Sequence, residues 1–124
     1  MGQIILHLWG DYLLQSDWMA QNKTKDSRAA FAHAAAYSLP FLLLTRSIPA
    51  MAVIFFTHAA IDRFRLARYI VWAKNFLGPG NLPWKDCAAT GYPPDRPTWL
   101  AVWLMIIGDN TLHLTINYLA LRYL

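Results

Sequence analysis

IPAMAVIFFTHAAIDRFRLARYIVWAK, residues 48–74, is apolar as far as Ile61 and basic beyond Asp62. The run is too long for a strand and lacks strict alternation, so its reading is helical. His58 and Asp62 stand four residues apart within it. On a helix that spacing puts two side chains on one face, one above the other. Both features, a long apolar run and an ionisable pair inside it, recur along the chain.

Three further runs match. Residues 2–20, 29–45 and 98–122 are rich in Leu, Ala and aromatic residues. Residues 78–97 hold three Gly and five Pro, which excludes a regular element. Pro97 suits the first turn of the last helix. Pro40 should kink the second, because its ring displaces the carbonyl four residues back. The expectation is an all-α chain: one four-helix transmembrane domain over residues 1–124, with helices at about 2–20, 29–45, 48–74 and 98–122 and a long loop at 78–97.

Composition points the same way. Hydrophobic residues make up 56% of the 124 residues and charged ones 15%, against a usual charged share of about 25%. All seven acids are Asp, and Glu, common on water-facing helices, is absent. These values exclude a disordered chain, a collagen and a coiled coil, and argue against an ordinary soluble enzyme. One cysteine, Cys87, excludes a disulfide framework and a multi-cysteine zinc ribbon. Lys23, Lys25 and Arg28 mark one loop as basic, and Arg63, Arg65, Arg68, Lys74, Lys85 and Arg96 mark another. The opposite side has only Arg46 and Arg122. By the positive-inside rule both termini lie outside a bacterial inner membrane and the basic loops face the cytoplasm. His7 and Asp11 interrupt the first apolar run, which is therefore not expected to be a secretory signal. A compact soluble four-helix bundle is the alternative.

The polar residues inside these runs carry the chemistry. His7, Asp11 and Gln15 follow at steps of four, as do His58 and Asp62, and Asp109, His113 and Asn117. His33 stands in the second helix, with Tyr37 one turn later. A buried ionisable group is costly unless paired or facing a cavity. Clustered imidazole and carboxylate are best compensated by a divalent metal: zinc is the first choice, with Mn or Fe as alternatives. The candidate ligands are His7, Asp11, His33, His58, Asp62, Asp109 and His113. Of these, His33 is expected to line the site rather than form its core. Gln15 and Asn117 are expected to hydrogen-bond the ligands from outside, and Tyr37 to pack. Depth counted along the helices allows one elongated site, or a deep layer of His7, Asp11, Asp109 and His113 over a shallow layer of His33, His58 and Asp62. One HxxxD alone is weak, and a structural or proton-relaying polar network is the competing reading.

The basic residues after Asp62 read first as a juxtamembrane anchor for anionic lipid. The functional alternative is that Arg63 or Arg65, with Lys23, gathers a phosphate or lipid head group at the mouth of the site. Nucleic acid is not expected as a partner, since no groove-reading motif is present. No nucleophile elbow, phosphate loop or HExxH zinc helix occurs.

HLWGDYLLQSDWMAQNK (residues 7–23), then His33, then THAAIDRFRLARY (residues 57–69) resembles a family of small bacterial and phage membrane proteins of unknown function. Its pattern is roughly HxxGDxxLQxxxMxxxK, then H, then HxxxD with a following basic residue. DNTLHLTINYLALRYL (residues 109–124) is similar to the C-terminal helix of phage and prophage members. By this resemblance His7, Asp11, Gln15, Lys23, His58 and Asp62 are the motif positions. The HxxxD pairs also look distantly like those of membrane-bound metal-dependent hydrolases, which implies hydrolysis of a membrane-proximal substrate with Asp11 or Asp109 as general base. Two other functions stay open: a non-catalytic phage protein that binds a host membrane protein or defence component, and an ion or proton pathway. The expected partners are membrane lipids and further copies of the chain.

Overall fold

The structure is a computed structural model that describes all residues from Met1 to Leu124. It is all-helical and has no strands. Three of the four expected helices are present as shorter pieces, each break having a local cause, while the last runs unbroken. Helix α1 (Gly2–Leu8) runs into a π-helical turn, Trp9–Leu13, closed by Leu14 N–H donating to Trp9 O at 2.9 Å. The chain then leaves the helix and restarts as α2 (Asp17–Asn22), where Ser16 Oγ accepts from Met19 N–H. Helix α3 (Ser27–Ser38) is capped by Asp26, whose carboxylate accepts from Arg28 N–H at 2.8 Å. The Arg28 side chain beside it holds that carboxyl below its ordinary range. Pro40, which has no N–H to give, converts the end of this helix to a 3-10 turn, Leu39–Leu43, rather than bending a continuous one. Helix α4 (Ile48–Phe64) stops at Arg65, which takes a left-handed backbone with φ of 52°, and α5 (Ala67–Leu77) follows. A short helix α6 (Trp84–Cys87) lies in the Gly/Pro-rich segment, and α7 (Thr98–Tyr123) ends the chain.

These breaks correct the expectation of four spanning helices. Helices α1, α3 and α4 have 7, 12 and 17 residues, where a span needs about 20. Only α7, at 26 residues, is long and apolar enough to cross a membrane.

The chain forms two compact units, residues 1–64 with 113–124, and residues 65–112. In the first, Leu6, Tyr37, Phe41, Ala50, Ile54 and Ala120 make the apolar core. Ala29, Ala30, Ala34, Ala50 and Ala59 are buried along α3 and α4. Such small side chains let two helix backbones approach closely. Gly10 does the same for the π turn: a Cβ there would lie 2.4 Å from the Tyr37 ring and 3.0 Å from Tyr37 Cα. Ser47 ties the last residue in, donating its hydroxyl to Leu124 O at 2.8 Å.

In the second unit α5 orders the segment that follows it. Asn75 Nδ2 donates to Gly91 O at 2.7 Å, Trp72 Nε1 donates to Leu82 O at 3.0 Å, and Tyr69 stacks on Trp84. Arg65 and Arg68 donate to the carbonyls of Ala89 and Ala88. Gly91 has φ of +85°, and a Cβ there would lie 2.7 Å from Val71 Cγ1. We expect Gly91→Ala to loosen this unit by about 1–3 kcal/mol through strain and overpacking. Hydrogen exchange should show it as faster exchange at α5 and α6 with α3 unchanged.

Candidate metal centre

Four side chains of the first unit converge. Asp11 comes from the π turn, His33 from α3, and His58 and Asp62 from successive turns of α4. All four are buried. His33 Nε2 lies 3.2 Å from Asp11 Oδ1 and 3.2 Å from Asp62 Oδ2. His58 Nε2 lies 3.4 Å from Asp11 Oδ1 and 3.3 Å from Asp62 Oδ2. One donor atom from each residue falls within 4.8 Å of all the others. A four-coordinate tetrahedral ion with bonds of about 2.0–2.1 Å requires donor–donor edges of about 3.3–3.4 Å. Four of the six edges such an ion would have, the His–Asp ones, lie at 3.2–3.4 Å, near that length. His58 Nε2 makes no hydrogen bond despite its burial, as expected of a lone pair aimed at a shared centre rather than at one partner. This buried His/Asp group could hold a metal ion.

The surrounding residues fix the ligands in place. Tyr37 stacks on His58 with ring centroids 3.6 Å apart and planes 13° apart. His58 Nδ1 faces His113 Nδ1 at 3.2 Å. Were Nε2 to hold an ion, Nδ1 would carry the proton and donate to His113 Nδ1. His113 Nε2 in turn faces Asp62 Oδ1 at 3.6 Å. Removing such an outer partner costs about 10–100-fold in metal affinity. We therefore expect His113→Ala to keep the ion but hold it that much more weakly in a chelator competition. A second chain of bonds starts at Asn117, whose Nδ2 donates to the Tyr37 hydroxyl at 2.6 Å. That hydroxyl pairs with His7 Nδ1 at 2.8 Å, and the same nitrogen lies 3.4 Å from Asp11 Oδ2. Tyr37→Phe deletes the hydroxyl on which two buried groups depend. Its expected cost is about 1–3 kcal/mol, read as a lowered unfolding midpoint.

Lys23, the C-terminal cap of α2, also reaches the centre. Its Nζ is 2.8 Å from Asp62 Oδ2 and 3.3 Å from His33 Nε2.

Several placements differ from those inferred from spacing. His33, given a lining role, stands in the middle of the cluster, while His7 and His113 lie behind the ligands with their rings 6.0 Å apart. Asp11 reaches the residues of the expected shallow layer, so Asp11, His33, His58 and Asp62 form a single group. Gln15 lies past the π turn, half-buried, with no hydrogen bond to its Oε1. Asp109 sits one helical turn before His113 on α7, half-buried, and belongs to the second unit. Arg63 is engaged with Thr24 O and Ser27 Oγ, and Arg65 with Ala89 O. Tyr37 and Lys23 were the residues whose roles spacing did not reveal. Tyr37 stands one turn after His33 on α3, which was the available signal for it.

A family profile matches residues 1–88. The chain belongs to DUF3307, a family of proteins of unknown function. No curated protein and no solved structure matches it. The stretch matched to DUF3307 contains Asp11, His33, His58 and Asp62 together with His7, Gly10, Lys23 and Tyr37. His113 and Asn117, which contact the centre from behind, lie beyond it.

Proposed function

We propose that this DUF3307 chain is a membrane-embedded metal protein whose Asp11/His33/His58/Asp62 centre hydrolyses a bond in a membrane-proximal substrate. The observation that carries the metal is the set of four donor–donor edges between 3.2 and 3.4 Å. Zinc is the first choice of this reading for a donor set of two imidazoles and two carboxylates, with Mn or Fe as alternatives. A bound divalent ion would supply Lewis acidity and lower the pKa of coordinated water. Asp11, ending in His7 and the Tyr37 hydroxyl, offers a route for a proton away from the centre. The membrane half rests on α7, which has only 11% of its apolar window buried, where the core helix of a soluble protein would be mostly buried. Trp99, Trp103, Ile107, Tyr118 and Leu119 on it are exposed. Its setting in this reading is a bacterial inner membrane, with the basic loops cytoplasmic.

Purified full chain should carry about one divalent ion per polypeptide, by the stoichiometry of a single four-donor centre. Absence of stoichiometric metal would overturn the centre, and recovery of the chain in the soluble fraction without detergent would overturn the membrane half. The Lys23–Asp62 contact at 2.8 Å favours a second reading, in which an ammonium rather than a metal balances the carboxylates and the polar core only specifies packing or relays protons. Metal analysis separates the two.

A further inference from the structure

Between them α3, its 3-10 turn and α4 leave an open groove of about 510 Å3. That volume is within the usual range of small-molecule sites. Leu39 and Leu42 from the 3-10 turn and Met51 and Phe55 from α4 line it, with Ala35 and Ala52, whose short side chains leave the room. Ser38, the one hydroxyl on its wall, already donates to Ala34 O at 2.7 Å. A sugar, a base or an extended peptide would bury donors and acceptors there with nothing to bond, which is costly. A hydrocarbon chain brings none.

The two ends of the groove differ. At one, Phe55 stacks on Phe31 with ring centroids 5.8 Å apart. At the other, in the turn that joins the helices, stands Arg46. Arg28 and Arg96 are bonded to Asp26 and Asp95, and Arg63, Arg65 and Arg68 to backbone carbonyls. Arg46 is exposed and bonds to no group of the chain. Leu43, Leu44 and Ile48, its neighbours in sequence, are exposed as well, so this cation stands in an apolar surface. From Ile48 to Phe55 the groove follows α4 for about 10 Å, at 1.5 Å per residue. A molecule with a long apolar body and one anionic end has the complementary pattern.

Resting on the membrane half of the reading above and not on the metal, we propose that this groove holds an acyl chain of one anionic phospholipid, whose phosphate accepts from the Arg46 guanidinium. The planar guanidinium suits two oxygens of one phosphate. The groove takes the chain, and Arg46 selects the head group.

The test titrates the full chain in detergent with phosphatidylglycerol and, separately, with phosphatidylcholine, and counts bound lipid by native mass spectrometry. One phosphatidylglycerol should bind about fivefold more tightly than phosphatidylcholine, the attraction of one basic side chain for an anionic head group. Arg46→Gln should make the two lipids equal, and Arg46→Lys, which keeps the charge, should retain most of the preference. Ala35→Trp, at an exposed position on the groove, should fill it and weaken both lipids. Equal binding of the two lipids by wild type, or a preference that survives in Arg46→Gln, overturns the proposal. So does a change from dimer to monomer in Ala35→Trp with lipid binding intact, which gives the groove to a second copy of the chain. Any of these results in a chain that needs detergent leaves the membrane half standing, whereas recovery of the chain in the soluble fraction removes both. Should Ala35→Trp not fold, Arg46→Gln decides by itself, since the side chain it replaces bonds to nothing in the fold.

Discussion

Asp62→Asn should empty the centre and weaken the fold together. Asp62 is the carboxylate that His33, His58, His113 and Lys23 all approach, at 3.2, 3.3, 3.6 and 2.8 Å. Its amide replacement removes a ligand and leaves the Lys23 ammonium against buried imidazoles. Breaking one partner out of a buried ion pair costs about 3–5 kcal/mol. Elemental analysis of the variant should give less than about a tenth of the wild-type metal, since losing one of four ligands costs more than the 10–100-fold of an outer partner. His58→Ala should lose metal to the same degree with a smaller effect on stability, because it removes no charge. If Asp62→Asn and His58→Ala both keep full metal content, the ion is held elsewhere. Chelation of the wild-type protein should lower its unfolding midpoint, because an ion bound only by the folded state stabilises it by mass action.

Gly10→Ala should do more damage than any other single added methyl in the first unit. The new Cβ would sit 2.4 Å from Tyr37 Cδ2 and 3.0 Å from Tyr37 Cα. The ring cannot turn aside freely, because it is stacked on His58 and its hydroxyl is held by Asn117 and His7. The backbone atom cannot turn at all. Overpacking of this kind costs about 1–3 kcal/mol, and here the upper end is expected. Pushing α3 outward also carries His33 away from Asp11, so metal affinity should fall with stability. Gly2→Ala is the contrast: its nearest obstacle is the end of the Leu44 side chain at 3.2 Å, which can rotate. Equal unfolding midpoints for Gly10→Ala and Gly2→Ala would contradict the close approach.

The helical character and the ionisable pairs were readable because they depend on local periodicity alone. HxxxD in residues 58–62 needs only an unbroken α turn, and α4 supplies one. The breaks were not readable to the same degree. Arg65 adopts a backbone conformation normally left to Gly or Asn, stabilised by a bond to Ala89 O that no spacing announces. Pro40 announced a disturbance but not its form. Depth counting assumed straight helices, so it offered two layers where the π turn and the close approach at Gly10 bring Asp11 to His33. His33 lacked an acid four residues away and was therefore given less weight than its position warrants. The role of Lys23 depends on α2 restarting after the π turn and aiming its C-terminal end back at Asp62. The resemblance marked Lys23 as a motif position, but its contact with Asp62 is tertiary information that no spacing carries.

The surplus residue between Trp9 and Leu13 makes this centre sensitive to insertion and deletion as well as to substitution. A chain shortened by one residue there could close an ordinary α ladder and still keep every imidazole and carboxylate. Asp11 would then be turned by about 100° around its helix, out of reach of the other donors. Spacing by itself would go on reporting a complete set of ligands in a protein that could no longer assemble them.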